Sequence, residues 1–401
     1  MKLNFIYPLA AVLAAGIFTS CDKNDESDAP AKLETESSFA RLLITDKTSK
    51  TVTLLNPTKN EQTTFQSSFG GSTVYPTPAG RWATVVSTAN NTVEFFDTGI
   101  EQHDDHVHVK GTPKWGLTKS TAPTPSHVYA SHNKLSIFND GNASISYVEE
   151  DKLHTVAAPN SIATGTAHHG AMILFDNGNY AVTHKNNTVA GSLPEQVKIV
   201  NTQGNVVAAP TLATQGIHGD AGDGQQAVFG SSSGLLVVKQ TGEQRLIPYP
   251  ASAGTNWLST IYYAQKARTF FGSRAGYGVF RIDLTTNTLT QLGTSTKLAR
   301  VALDQAGETL MVLDEDGTLT VFDAATGAQK ASRSLNDLLD TKTATPYLAA
   351  THGFVYVTNA PQGKVHMLDK NTLASRETFT VPGAPLRIAF AGADVSDEND
   401  H

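Results

Sequence analysis

Apolar and polar residues alternate with a period of two along most of the chain. The runs "ARLLITD", "TVTLLNP", "TVEFFDT", "KLSIFND", "AMILFDN", "GLLVVKQ", "GVFRIDL", "TLMVLDE", "TLTVFDA" and "KVHMLDK" each read as a short strand. Asn, Asp, Gly and Thr bound them, which is turn chemistry. Helical periodicity is nearly absent. "LNDLLD", starting at Leu335, predicts a single turn.

The strands recur as a unit. "GETLMVLDEDGTLTVFDAATGAQ", "HGFVYVTNAPQGKVHMLDKNTLAS" and "GRWATVVSTANNTVEFFDTGI" are its clearest copies. A repeat of about 40–50 residues in an all-β chain means propeller blades. First strands are expected near Ser72, Ser126, His168, His218, Trp257, Leu298, Thr345 and Leu386. The last of these, "PLRIAFAG", has no blade after it, and "ARLLITDKTSKTVTLLNP" near the start has no first strand. Pairing the two closes a single β-propeller over residues 39–392, with about eight blades, or seven if one copy is misread.

Charge narrows the partners. A net charge of −7 offers no basic patch to release counterions from nucleic acid. The first 20 residues carry Lys2 and a short apolar stretch, "FIYPLAAVLAAGIFTS", ending at the single cysteine. They read as a lipoprotein signal peptide, with Cys21 as the lipidated first residue of the mature chain. An ordinary secretory signal cut nearby is the plainer alternative. Residues 21–38 are expected to form an acidic flexible tether, and 393–401 a disordered tail. The protein would then sit in the cell envelope, as a periplasmic or outer-membrane lipoprotein held to the membrane by its lipid. With Cys21 lipidated no thiol remains, so any metal site must use His, Asp and Glu.

The chain has 13 histidines, and several fall where the propeller would gather them. His127 in "PSHVYA", His168 and His169 in "TAHHGA", and His218 in "GIHGDAGDG" open the first strands of three successive blades. First strands line the channel, so these imidazoles can meet on the axis. Three His with a carboxylate or water suit the tetrahedral preference of zinc. Neighbours on a strand point to opposite faces, so only one of His168 and His169 should reach the ion unless a bulge re-aims them. Asp220 and Asp223 can ligate or fix an imidazole tautomer. A second run, "EQHDDHVHVKG", holds His103, Asp104, His106 and His108 on what reads as the connection into the first of these blades. In a polar loop it would be a looser, rapidly exchanging site. Copper or nickel would accept the same ligands. The bland reading is that such histidines only hydrogen-bond to backbone and water.

A β-propeller carrying a His/Asp-rich loop followed by "PSHVYA", "AHHGAM" and "GIHGDAGDG" resembles the AztD-type periplasmic zinc metallochaperones. The resemblance runs from about residue 40 to 392. It implies a periplasmic protein that binds Zn2+ and passes it to the solute-binding protein of a zinc ABC importer; a monomer is expected. It implies a flexible His-rich loop near the propeller mouth, here His103, Asp104, His106 and His108, beside an ordered site at His127, His168 or His169, and His218. The lipid anchor departs from that pattern. Two rivals remain: a metal-dependent propeller hydrolase or lactonase, and an interaction module that binds protein or glycan without metal. No phosphate loop or nucleophile triad is visible, which favours a carrier over an enzyme.

Overall fold

The computed structural model describes residues 38–394, except 104, 105 and 294, and the side chains of residues 103 and 106. Cys21 and Asp104 lie outside the described residues, as do the signal, the tether up to residue 37 and the tail from residue 395.

Eight four-stranded antiparallel sheets form the ring. Blade 1 joins the two ends of the body: its inner strand is Pro385–Gly392, and the next outward is Ala40–Asp46. Their register runs from Ala40↔Gly392 to Asp46↔Pro385. The closure expected from the two incomplete repeats is therefore present. Blades 2 to 8 follow in chain order, with inner strands Thr73–Pro76, Pro125–Ser131, Met172–Leu174, Ile217–Gly222, Thr260–Ala264, Leu298–Leu303 and Leu348–Ala350. The Leu335 segment closes a single turn, with Leu338 and Leu339 amides donating to the Leu335 carbonyl.

The core is circumferential. Eight apolar clusters each fill the space between two neighbouring blades. Phe138 and Ile145 of blade 3 meet Met172 and Val182 of blade 4, and Leu43 and Val52 of blade 1 meet Val74 and Phe96 of blade 2. Middle strands are apolar on both faces because each face packs on a different blade; Thr309–Asp314 is buried along almost its whole length. The axis itself is left open. Inner strands are only partly buried there, as Pro125–Ser131 and Leu298–Leu303 show, so polar side chains can occupy it.

Closure demands a glycine at one point. Gly392 donates its amide to the Gly80 carbonyl at 2.6 Å. A Cβ on Gly80, whose φ is +70°, would stand 1.7 Å from the Gly392 carbonyl oxygen.

Candidate metal centre

His127 is third on the inner strand of blade 3, and the strand carries a bulge there, since Pro125 pairs with Asn139 but His127 with Phe138. Blade 5 repeats the device: Ile217 pairs with Ser231 and Asp220 with Phe229, leaving one extra residue on the inner strand. Bulges bend a strand and re-aim its side chains. Gly219 makes this one possible, with φ +79° and room for no side chain: its Cβ would lie 2.4 Å from the Ser259 carbonyl oxygen. His169 belongs to the irregular stretch that leads into the inner strand of blade 4.

These three rings converge. Ring centres stand 5.0 Å apart for His169 and His218, 5.3 Å for His127 and His169, and 6.0 Å for His127 and His218. Three imidazoles bound through nitrogen to one tetrahedral ion, at about 2.0 Å each, hold their ring centres about 5 Å apart. Among the described residues no set of three such side chains is already closed around a point. The widest separation must shorten by about an ångström for all three to bind.

Each ring is held by the same nitrogen. His127 Nδ1 donates to Asp220 Oδ1 at 3.1 Å, His169 Nδ1 to Asp140 Oδ2 at 2.6 Å, and His218 Nδ1 to the Ser259 carbonyl at 2.7 Å. An Nδ1 proton leaves Nε2 as the lone-pair nitrogen. No hydrogen bond among the described residues uses any of the three Nε2 atoms. Two carboxylates and a carbonyl thus fix tautomer and orientation, as the partners of metal-bound histidines do.

The charges divide the work. Burial pulls the His127 pKa down, but the hydrogen bond and charge of Asp220, with Asp140 behind, outweigh it and raise it above the ordinary imidazole value. His218 moves the other way: burial lowers it, and His169 and His127 push it further against the backbone bond that favours the cation. Burial would raise Asp140, yet hydrogen bonds from His169, Ser126 and the Gly170 amide keep it below the usual carboxylate range.

The two adjacent histidines part company. His168 is 5% exposed, packs on Phe138 and spends both nitrogens, with Nδ1 donating to the Thr166 carbonyl (2.6 Å) and Nε2 bonded to Thr183 Oγ1 (2.9 Å). It is placed as a packing residue, away from the cluster. Asp220 is placed behind His127 as its orienting partner, and Asp223 caps a turn by accepting from the amides of Gln225 and Gln226. Asp140 and the Ser259 carbonyl escaped the sequence reading. The only signal for Asp140 was "FNDGN", a turn between the second and third strands of blade 3, which topology puts at the end where inner strands begin.

The His/Asp-rich run needs two corrections. It is a hairpin, not a structureless loop: Ile100–His103 pairs with His106–Val109, with Glu101↔His108 and His103↔His106 in register. Positions 101, 103, 106 and 108 therefore share one face. Nor does it connect two blades. It is inserted within blade 2, between the third strand Thr92–Asp97 and the fourth strand Lys114–Ser120. Third strands finish where inner strands finish, so the hairpin leaves the ring at the end opposite the imidazoles. Its base is tied there, with the Gln102 amide donating to the Ala79 carbonyl and Glu101 pairing with Arg81. From His127 to the end of its strand at Ser131 is about 13 Å at ~3.3 Å per residue. The channel mouth between is acidic, lined by Tyr129, His132, Asp176, Asp220 and Asp223.

Fold and site together define a class: an eight-bladed propeller whose channel carries three oriented imidazoles at one end. The known proteins it resembles fall in line. No family model matches the chain. The zinc chaperone AztD of Citrobacter koseri is 25% identical over 334 residues, covering 80% of this chain and 77% of that protein. Two solved structures of Citrobacter koseri AztD, the second its apo form, align with TM-scores of 0.80 and 0.79 at 22% identity, covering 91% and 89% of this chain and all of theirs. A dihydro-heme d1 dehydrogenase, NirN, shares the fold more distantly, with a TM-score of 0.59, 12% identity, and coverage of 90% of this chain and 76% of that one.

Proposed function

We propose that the protein is an extracytoplasmic zinc carrier that delivers Zn2+ to the solute-binding protein of a zinc ABC importer. One observation supports this above the rest: three imidazoles from three blades meet with every Nδ1 engaged and every Nε2 unused. The likeness to a protein named as a zinc chaperone points the same way. His127, His169 and His218 would hold the ion, while Asp220, Asp140 and the Ser259 carbonyl orient them. The hairpin bearing His103, Asp104, His106 and His108 would exchange ions with the partner one bond at a time, so that no bare ion is released. The role is a carrier's rather than an enzyme's. Cys21 would anchor the protein to an envelope membrane through lipid, with residues 22–38 as the tether.

Elemental analysis of freshly purified protein, then transfer to a chelator-stripped solute-binding protein, tests the reading. One zinc per chain that moves to the acceptor supports it. Absence of stoichiometric metal removes it.

A further inference from the structure

The channel has a second half. Blades 7, 8 and 1 stand across the axis from blades 3, 4 and 5, and they present cations instead of imidazoles. Arg300 is third on the inner strand of blade 7, and Arg387 third on that of blade 1. Both positions sit at bulges like those under His127 and His218: Leu298 pairs with Asp314 but Arg300 with Leu313, and Thr45 pairs with Arg387 but Asp46 with Pro385. Between them Tyr347 enters blade 8. The Arg300 guanidinium lies 3.6 Å from the centre of that ring and the Arg387 guanidinium 3.9 Å. Tyr75 of blade 2 and Tyr262 of blade 6 are also third on their inner strands, at the borders of the two halves.

Among the described residues no carboxylate neutralises this pair. Each guanidinium brings five N–H donors. Of these the described residues engage one, Arg300 Nε to the Pro346 carbonyl at a long 3.4 Å. Arg387 Nε is buried without a partner. Neither arginine forms an ion pair among the described residues, whereas Arg81, Arg333 and Arg376 each pair with an aspartate. Burial weakens the hold of both on their protons, and Arg300 adds repulsion to Arg387. The Tyr347 ring offers cation–π attraction but no charge. Two uncompensated guanidiniums in a partly desolvated channel are costly unless something fills them. Planar forks of donors match an oxyanion's geometry and bind it with charge-assisted bonds.

We propose that this half of the channel binds a small oxyanion, a phosphate or a carboxylate, reaching from Arg300 to Arg387 past the edge of the Tyr347 ring that they flank, opposite the imidazoles. The site does not depend on the zinc reading. An anion there would relieve the repulsion and leave the acidic, imidazole-bearing half to cations.

Calorimetric titration of the metal-free protein with inorganic phosphate and, separately, with malonate tests this, at constant ionic strength set by chloride. One probe or both should bind one to one and raise the melting temperature; which one does so separates phosphate from carboxylate. Arg300→Gln and Arg387→Gln should each weaken that binding at least tenfold. Lys330→Gln, on the exposed outer strand of blade 7, should leave it unchanged. Should a glutamine variant fail to fold, the wild-type titration and melting shift decide alone. Failure of both probes to bind or to raise the melting temperature overturns the proposal. So does binding that survives both arginine substitutions.

Discussion

His127 and Asp220 sit on inner strands two blades and 93 residues apart, yet share a 3.1 Å hydrogen bond on the channel axis. That contact ties the ring's geometry to the chemistry of one imidazole. Asp220→Asn and Asp140→Asn should each lower zinc affinity by about 10–100-fold without abolishing stoichiometric binding, the usual cost of losing a ligand's orienting partner. Competition titration against a zinc chelator measures this.

The adjacent histidines should behave oppositely. His169→Ala should abolish tight loading. His168→Ala should leave loading largely intact and instead destabilise the fold, because it removes a buried ring packed on Phe138 and bonded to Thr183. Paired zinc titration and thermal melting separate the two effects.

Loading should fall as the medium acidifies, and should begin to fall above the ordinary imidazole range. Asp220 and Asp140 hold a proton on His127 against the pull of burial, and that proton competes with the ion. Asp220→Asn should move the pH at which zinc affinity departs from its own high-pH plateau to lower values. A zinc-binding isotherm taken at several pH values reads the shift.

Glu150 makes a separate, structural test. It is 9% exposed beside the hairpin base, and burial, aided by the charge of Glu101, raises its pKa from 4.5 to about 7. A carboxyl with a raised folded pKa contributes most below its unfolded value, and that contribution is lost as pH rises through about 7. Wild-type stability should therefore decline over that window by up to about 3 kcal/mol. Glu150→Gln should flatten the decline, as denaturant unfolding at pH 4.5 and pH 8 would show.

Ring closure rests on the pairing of Leu42 with Phe390 and Ile44 with Ile388, whose side chains join one buried cluster. Leu42→Ala should cost about 2–5 kcal/mol, the range for a buried leucine. Unfolding midpoints in urea give the value.

The blades, their number and their closure were legible because a period-two pattern and a repeat both point to one architecture. The meeting of His127, His169 and His218 was legible because each lies at the opening of an inner strand, and inner strands share one axis. The choice between His168 and His169 was not, since the stretch before Met172 is irregular and strand alternation does not apply there. Asp140 was hidden because a turn aspartate reads as turn chemistry until its neighbours across the channel are known. The hairpin was misplaced because an insertion between third and fourth strands looks, in sequence, like a link between blades. The arginine pair stayed silent for a related reason: Arg300 and Arg387 are 87 residues apart and meet only across Tyr347.

X-ray absorption at the zinc edge, on protein loaded with one equivalent, is the most direct measurement of a shared imidazole site. The expected first shell contains three imidazole nitrogens at about 2.0 Å, and His169→Ala or His218→Ala should remove one. A shell of carboxylate oxygens, or one indifferent to both substitutions, would contradict a site built from His127, His169 and His218.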